Sequence, residues 1–312
     1  MSKKVVSYYN VVPAKNKSQE KIDILKKFIN GVNVAGDKGI LYTGYQVQDS
    51  DVGMIQGWQH ELGKNAAHLK LRSDVINTQL IKKRYVCTAD ANLFLYANPD
   101  NHPWHYLRYS FNGVFPTTGI YCDIEPNTKR WQQISKDLDI KLESEKRNGN
   151  HILICVQRNG GWSMGTTALD QWCVDVVHQL REKTDRPIVI RLHPGDKRSH
   201  KRPPQKITNL IRYPNVSLSP IGRDIRKDLK NCWAVVNHNS SAIVGPLIQG
   251  YPAFITDPDR SQCKEVTHVG FDNIENPKMF DRLSWLERIS MFHWKFSELD
   301  NGACWRHMRK YI

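Results

Sequence analysis

The chain has 312 residues, 40% hydrophobic and 24% charged, which suits one large or two ordinary domains and excludes wholesale disorder. Lys and Arg outnumber Asp and Glu by 45 to 31, and the net charge of +14 favours an anionic partner such as nucleic acid, an acidic polymer, a membrane surface or a phosphorylated substrate. No apolar run approaches the roughly 20 residues of a membrane span, MSKKVVSYYN has no apolar leader segment, and the seven scattered cysteines make no CxxC pair, so reduced thiols and a cytoplasmic location are expected.

In chain order, 3–12 reads as a first strand. Residues 17–32 read as a helix with Ile22, Leu25, Phe28 and Ile29 at helical spacing and Gly31 as its stop. GILYTGY and DVGMIQGW are short strand candidates, 64–83 a helix and 85–97 a strand region. This alternation predicts a parallel sheet with crossover helices. KLESEKRNGN, 141–150, is charged and poor in apolar residues and is expected to be the domain boundary. The second half then restarts with a buried strand at 151–157, a glycine-bearing loop, an amphipathic helix at 168–184 and a strand at 187–194. A short helix DIRKDLKNC, a strand AVVNHN, a helix SSAIVGPLIQG and a strand YPAFITD complete the module. This is a doubly wound order, in which ligands bind at the carboxyl ends of the strands. Residues 281–312 are expected to be helical.

Three strand ends of the second module carry unusual residues. After the first come Arg158, Gly160, Gly161, Trp162 and Ser163, where glycines let backbone N–H groups approach an anion. The plain alternative is a tight turn. IVIRLHPGDK brings Arg191, His193 and Lys197 to one edge. His193 can hydrogen-bond a departing phosphate or give it a proton, or it can be structural. Ser240 and Ser241 open a helix, where hydroxyls cap the turn or donate to phosphate oxygens. Parallel strands put all three edges on one side. Arg158, His193 and Ser240/Ser241 are therefore expected in one anion-binding crevice, with Asp196 as the facing carboxylate.

With these residues in view, 151–260 resembles glycosyltransferases of the GT-B architecture. His193-Pro194 and Ser240-Ser241 are similar to the HP and Ser-Ser motifs of bacterial sialyltransferases, capsule-type transferases and the glycerophosphotransferases of teichoic acid synthesis. The resemblance implies an α/β fold of two Rossmann-like domains facing a cleft, with a C-terminal helix crossing back to the first domain. It implies an acceptor domain over 1–146, a donor domain over 147–280 and returning helices over 281–312. It also implies a nucleotide-sugar co-substrate, expected to be a UDP-sugar, and no cofactor or essential metal. Arg158, Gly160, Gly161, Trp162, Ser163, Arg191, His193, Ser240 and Ser241 would then hold the donor. The D/E-D/E-G motif carrying the base in sialyltransferases is absent, and Asp51 in DSDVG is the candidate base beside His193. Asp257-Pro258-Asp259 has DxD spacing but sits late in the module. The chain also resembles glycosyltransferases of tailed phages, some of which modify hydroxymethylated bases, and that would place it in a host cytoplasm.

For the acceptor, 101–123 interleaves aromatics with cations, including Trp104, His105, Arg108 and Tyr109, as a stacked base, a sugar face or single-stranded nucleic acid would need. The plain alternative is a hairpin with a buried aromatic side. The basic run 197–202, with Lys201 and Arg202, is expected as a mobile loop able to bind a DNA backbone. The favoured reading is a glycosyltransferase acting on 5-hydroxymethylpyrimidines of double-stranded DNA. The alternatives are a transferase acting on a surface or capsule glycan and a non-catalytic nucleic-acid-binding protein.

Overall fold

The computed structural model describes residues 1–13, 18–58, 66–98, 106–158 and 162–312, excepting the side chains of Tyr96 and Trp162. In chain order the main elements are β1 (Lys4–Tyr8), α1 (Gln19–Val34), β2 (Lys38–Tyr42), β3 (Val52–Gln56), α2 (Ala67–Ile81), β4 (Tyr85–Asp90), β5 (Leu107–Phe111) and α3 (Thr128–Asp137). They continue with β6 (His151–Cys155), α4 (Leu169–Arg181), β7 (Ile188–Arg191), α5 (Lys197–Lys201), α6 (Gln205–Asn209), β8 (Val216–Leu218), α7 (Ile225–Leu229), β9 (Cys232–Asn237), α8 (Val244–Ile248), β10 (Ala253–Ile255) and β11 (His268–Val269). The chain ends with α9 (Arg282–Ser290), β12 (His293–Trp294), α10 (Phe296–Asp300) and α11 (Ala303–Met308). They form two units. The first comprises Met1–Leu95, Asp100–Ile134 and Glu287–Ile312, and the second Tyr96–Pro99 and Ser135–Leu286.

The first unit holds one sheet in the order β12-β5-β4-β3-β1-β2. Strands β2, β1, β3 and β4 are parallel. Val5, Val6, Val52, Met54 and Val86 are fully buried, as expected of strands covered on both faces by crossover helices. The order reverses between β1 and β3, which makes their carboxyl ends the switch point of this sheet. Strand β5 runs antiparallel to β4, and β12 antiparallel to β5. The C-terminal segment is therefore not purely helical: His293 and Trp294 pair with Arg108 and Leu107. Trp305 Nε1 donates to Asp37 Oδ2 at 2.8 Å and Arg130 pairs with Glu298, tying this segment to the first unit.

Gly31 does not stop α1, which continues to Val34. A Cβ at Gly31 would sit 1.9 Å from the carbonyl oxygen of Leu299 in α10, so this glycine lets two backbones approach. Gly31→Ala is expected to destabilise the fold by about 1–3 kcal/mol or more, since a rigid backbone must move. A thermal melt indistinguishable from the parent would contradict that contact.

The second unit holds a wholly parallel sheet, β11-β10-β9-β6-β7-β8. Read from its other edge, the strands run third, second, first, fourth, fifth, sixth in chain order, as in the dinucleotide-binding fold, with the switch point between β6 and β9. Ile152, Ile154, Ile188, Ile190, Val236 and Phe254 are buried in its core. The charged stretch 141–150 runs along this unit: Glu143 N donates to Ile248 O and Lys146 N to Gly250 O, both at 2.8 Å. The passage between units lies within α3 and within α9. All seven cysteines are buried with free thiols.

Candidate active site

Because β7, β6 and β9 are adjacent and parallel, the loops after them emerge side by side. A pocket there is lined by Val156, Arg191, His193, Pro194 and Ser240, with Ile225 from α7. The structure thus brings His193 and Ser240 to one cavity.

The His193 ring is half-buried. Gly195 N donates to His193 Nδ1 at 2.9 Å, so Nδ1 is unprotonated and the ring hydrogen sits on Nε2. Burial pushes the imidazole pKa down, the charges of Arg158, His200 and Arg191 add to this, and Asp196 opposes it. Its ordinary value is about 6.5. The ring is therefore a neutral Nε2–H donor at neutral pH. The sign is testable. A proton-giving imidazolium would lose occupancy tenfold per pH unit above its pKa, whereas a neutral donor saturates there. Turnover is expected to stay flat from about pH 6.5 to 8.5. A steady fall across that range would assign His193 the acid role.

Ser240 is in extended conformation (φ −73°, ψ 145°) and accepts a hydrogen bond from Ala242 N at 3.2 Å. It caps the turn at Ser241–Ile243, and Asn237 Nδ2 holds its carbonyl at 2.8 Å. A capping hydroxyl accepts with its oxygen and retains its own hydrogen, so capping and donation to an anion coexist at Ser240. Ser241 is half-buried at the first position of the turn and is not among the pocket-lining residues.

Arg191 is not a free cation. Its Nη1 lies 2.7 Å from Asp228 Oδ2, and Arg223 Nε lies 3.1 Å from Asp228 Oδ1. Ser219 Oγ donates to Asp228 Oδ2 at 2.7 Å. Asp228 is thus a second carboxylate at this edge, on Arg191, beside Asp196, whose charge reaches the His193 ring. Asp196 is buried and caps α5, accepting from Ser199 N at 3.1 Å and Ser199 Oγ at 2.9 Å. That cap makes 197–201 a helix rather than the expected mobile loop. Lys201 and Arg202 are exposed at its end, and Arg158 is exposed just beyond β6.

Behind the pocket, a polar network joins β6, β9 and β10. Gln157 Nε2 donates to Ser163 Oγ at 3.0 Å and to Asn239 Oδ1 at 2.9 Å, and Gln157 Oε1 accepts from Asn239 N at 2.9 Å. Asn239 Nδ2 donates to Ser163 O and to Asp257 Oδ2, both at 2.9 Å. His238 Nδ1 and Trp172 Nε1 both meet Thr256 Oγ1, at 2.7 and 2.8 Å. Ser163 is therefore fastened into the frame. Asp257 is held by Asn239 and lies near His238 and Arg260, not in a metal cluster. Among the described residues no three His, Cys, Asp or Glu side chains group as metal ligands. Gln157, Asn239 and Asp228 escape the sequence reading. Their only signal is a polar side chain just beyond a buried strand, or next to the buried Leu229 in a short helix.

The first unit departs further from expectation. Asp51 precedes β3, and its Oδ2 accepts from Lys4 N at 2.7 Å. It lies at the amino edge, opposite the ends where a parallel sheet gathers ligands, and there it pins β1. Tyr109 is 1% exposed and stacks on Phe28 with ring centroids 6.1 Å apart. Tyr106 is buried too, so the described aromatics of this stretch lie on a buried side, as the plain alternative of a hairpin had it, and Tyr109 cannot stack on an acceptor. Arg108 is paired with Asp90 at the end of β4. Trp104, His105, Gly160 and Gly161 lie outside the described residues, as does the side chain of Trp162.

No protein-family model matches the chain, and no curated protein matches it. Solved structures do. The chain is similar to the β-Kdo 2,4-transferase of Thermosulfurimonas dismutans KpsC, with a TM-score of 0.55, 12% identity, and 94% of this chain and 92% of that one covered. It is also similar to the β-Kdo 2,7-transferase of the same organism's KpsC, with a TM-score of 0.52, 12% identity, and 99% and 100% covered. The likeness is of fold: two Rossmann-like units, each built on a mainly parallel sheet, as in GT-B glycosyltransferases. No helix of the described residues is long and apolar enough to cross a membrane.

Proposed function

We propose that the protein is a glycosyltransferase that moves a sugar from a nucleotide-sugar, a UDP-sugar in the first instance, to a hydroxyl of a glycan. The single observation carrying this is the convergence of the His193 Nε2–H donor and the Ser240 hydroxyl on one pocket at a switch-point edge. As the bond from the anomeric carbon to the phosphate oxygen breaks, its electron pair leaves with the nucleoside phosphate. Donors aimed at that oxygen are worth most in the transition state. The exposed Arg158 adds positive potential at the same edge. The fold shared with two Kdo transferases supports a glycan acceptor, and no divalent metal is needed in this reading.

DNA bearing hydroxymethylated pyrimidines is the second reading. It is favoured by the net charge of +14 and by the exposed Lys201 and Arg202 at the end of α5. It is weakened by the burial of Tyr109 and Tyr106, which removes described aromatics from a stacking role. The test is a panel of nucleotide-sugars, with and without a chelator, scored by melting shift and by slow hydrolysis of the donor. Stabilisation by one nucleotide class is expected. No shift with any member would overturn the assignment. Salt-sensitive binding to a DNA fragment, measured beside an acidic polysaccharide, separates the two acceptors.

A further inference from the structure

The first unit has a cavity of its own, of about 300 Å³, at the carboxyl ends of β1, β3 and β4. This is the switch point of that sheet, where an open α/β sheet takes ligands. The volume is at the small end of ligand pockets and suits one sugar ring rather than a length of polymer.

The polar groups of the wall are unusually well defined. Arg72 comes from α2 and reaches under the edge. Its Nη1 donates to Trp58 O and its Nη2 to Val11 O, both at 3.0 Å. It thereby straps together the loops after β3 and β1. Its Nε is buried without a hydrogen-bond partner. Burial lowers its pKa to about 10, so it remains a cation at neutral pH. Asp90 ends β4, lines the cavity, and is oriented by Arg108 from β5. Gln56 ends β3 on the same wall. Lys21, in the first turn of α1, also lines the cavity, is half-buried, and makes no hydrogen bond or ion pair with the described residues. A lysine that lines a cavity wall with no partner among the described residues can serve to recognise an anion. Lys21 and Arg72 outnumber Asp90 among the charged groups of the lining, so the cavity favours an anion, while the Asp90 carboxylate can only accept a hydrogen bond.

We propose that this cavity binds a single hydroxylated sugar ring bearing an anionic group, with Lys21 on the anion and Asp90 accepting a hydrogen bond from a ring hydroxyl. In the glycosyltransferase reading, on which the role as acceptor site rests, the ligand is the terminal acidic residue of the acceptor. The anion is a carboxylate or a phosphate, since an ammonium takes either as a point charge.

The experiment titrates the full chain, without nucleotide-sugar, with D-glucuronate, D-glucose 6-phosphate and D-glucose, using ligand-observed NMR. The parent is expected to bind one or both acids about tenfold more tightly than glucose. The acid preferred names the anion. Lys21→Met should abolish that preference while leaving glucose binding in place, and Asp90→Asn should weaken all three. Equal affinity for the three sugars, or a preference that survives Lys21→Met, overturns the proposal. Lys21 is half-buried and its side chain bonds to none of the described residues, so the variant should fold. If Asp90→Asn does not fold for want of a partner for Arg108, Lys21→Met still decides. Nucleotide-sugar binding is scored separately in the second unit. Acid selectivity with no nucleotide-sugar binding would leave this cavity standing and remove the transferase reading, and the converse result would do the opposite.

Discussion

His193→Ala is expected to lower kcat by on the order of 100-fold or more while nucleotide-sugar affinity changes by no more than about tenfold. The asymmetry comes from where the charge is. In the proposed reaction the donor phosphates are already anionic in the ground state, where Ser240 in the pocket and the exposed Arg158 would meet them. As the glycosidic bond breaks, negative charge gathers on one oxygen, and an Nε2–H aimed there gains strength during that step. The ring is prepared for this: Gly195 N fixes the tautomer by donating to Nδ1, and Pro194 sets a rigid exit from the strand. His193→Gln, which can still offer an N–H, should recover part of the rate. Steady-state turnover beside donor binding checks both variants. Near-parent kcat in His193→Ala with binding intact would leave the phosphate stabilised by something other than this ring.

The second unit is legible in the sequence because its strands are short, apolar and buried, and parallel strands deliver their C-terminal loops to one edge. Once 151–157, 187–194 and 234–239 are read as neighbouring parallel strands, His193 and Ser240 have to meet. The same rule, applied to the first unit, disqualifies Asp51. A residue in front of a parallel strand lies at the amino edge, and Asp51 is bonded there to Lys4 N. The residue that satisfies the rule is Asp90, at the end of β4. Tyr109 misleads because aromatics among cations suit stacking, yet LRYSF alternates. Leu107, Tyr109 and Phe111 belong to the core, Leu107 also reaching the cavity wall, and Arg108 is paired with Asp90. Some features have no local signal. Gly31 looks like a helix stop until Leu299 is known to cross it. The two residues of β12 are too few to show a period of two. The network of Gln157, Asn239 and Asp257 depends on three strand ends at once.

Asp228→Ala should be the most destabilising single change near the pocket, by about 3–5 kcal/mol, because it removes the partner of a mostly buried arginine. The Asp228 side chain is 2% exposed and that of Arg191 13%. The carboxylate is saturated by Arg191, Arg223 and Ser219. Taking two charges out of water costs about as much as their attraction returns, so the pair itself adds little net stability. Removing one member alone leaves Arg191 desolvated against the pocket wall. Asp228→Asn keeps a hydrogen-bonding oxygen at the site and should cost less. The double variant Asp228→Ala/Arg191→Met replaces the ion pair with an apolar contact and should regain much of the loss, a coupling that chemical denaturation can measure. Equal melting of parent and Asp228→Ala would mean that Arg191 escapes to water when its partner goes. Arg191 lines the pocket wall that holds His193, so a loss of order there should also weaken nucleotide-sugar binding in Asp228→Ala at temperatures where the variant remains folded.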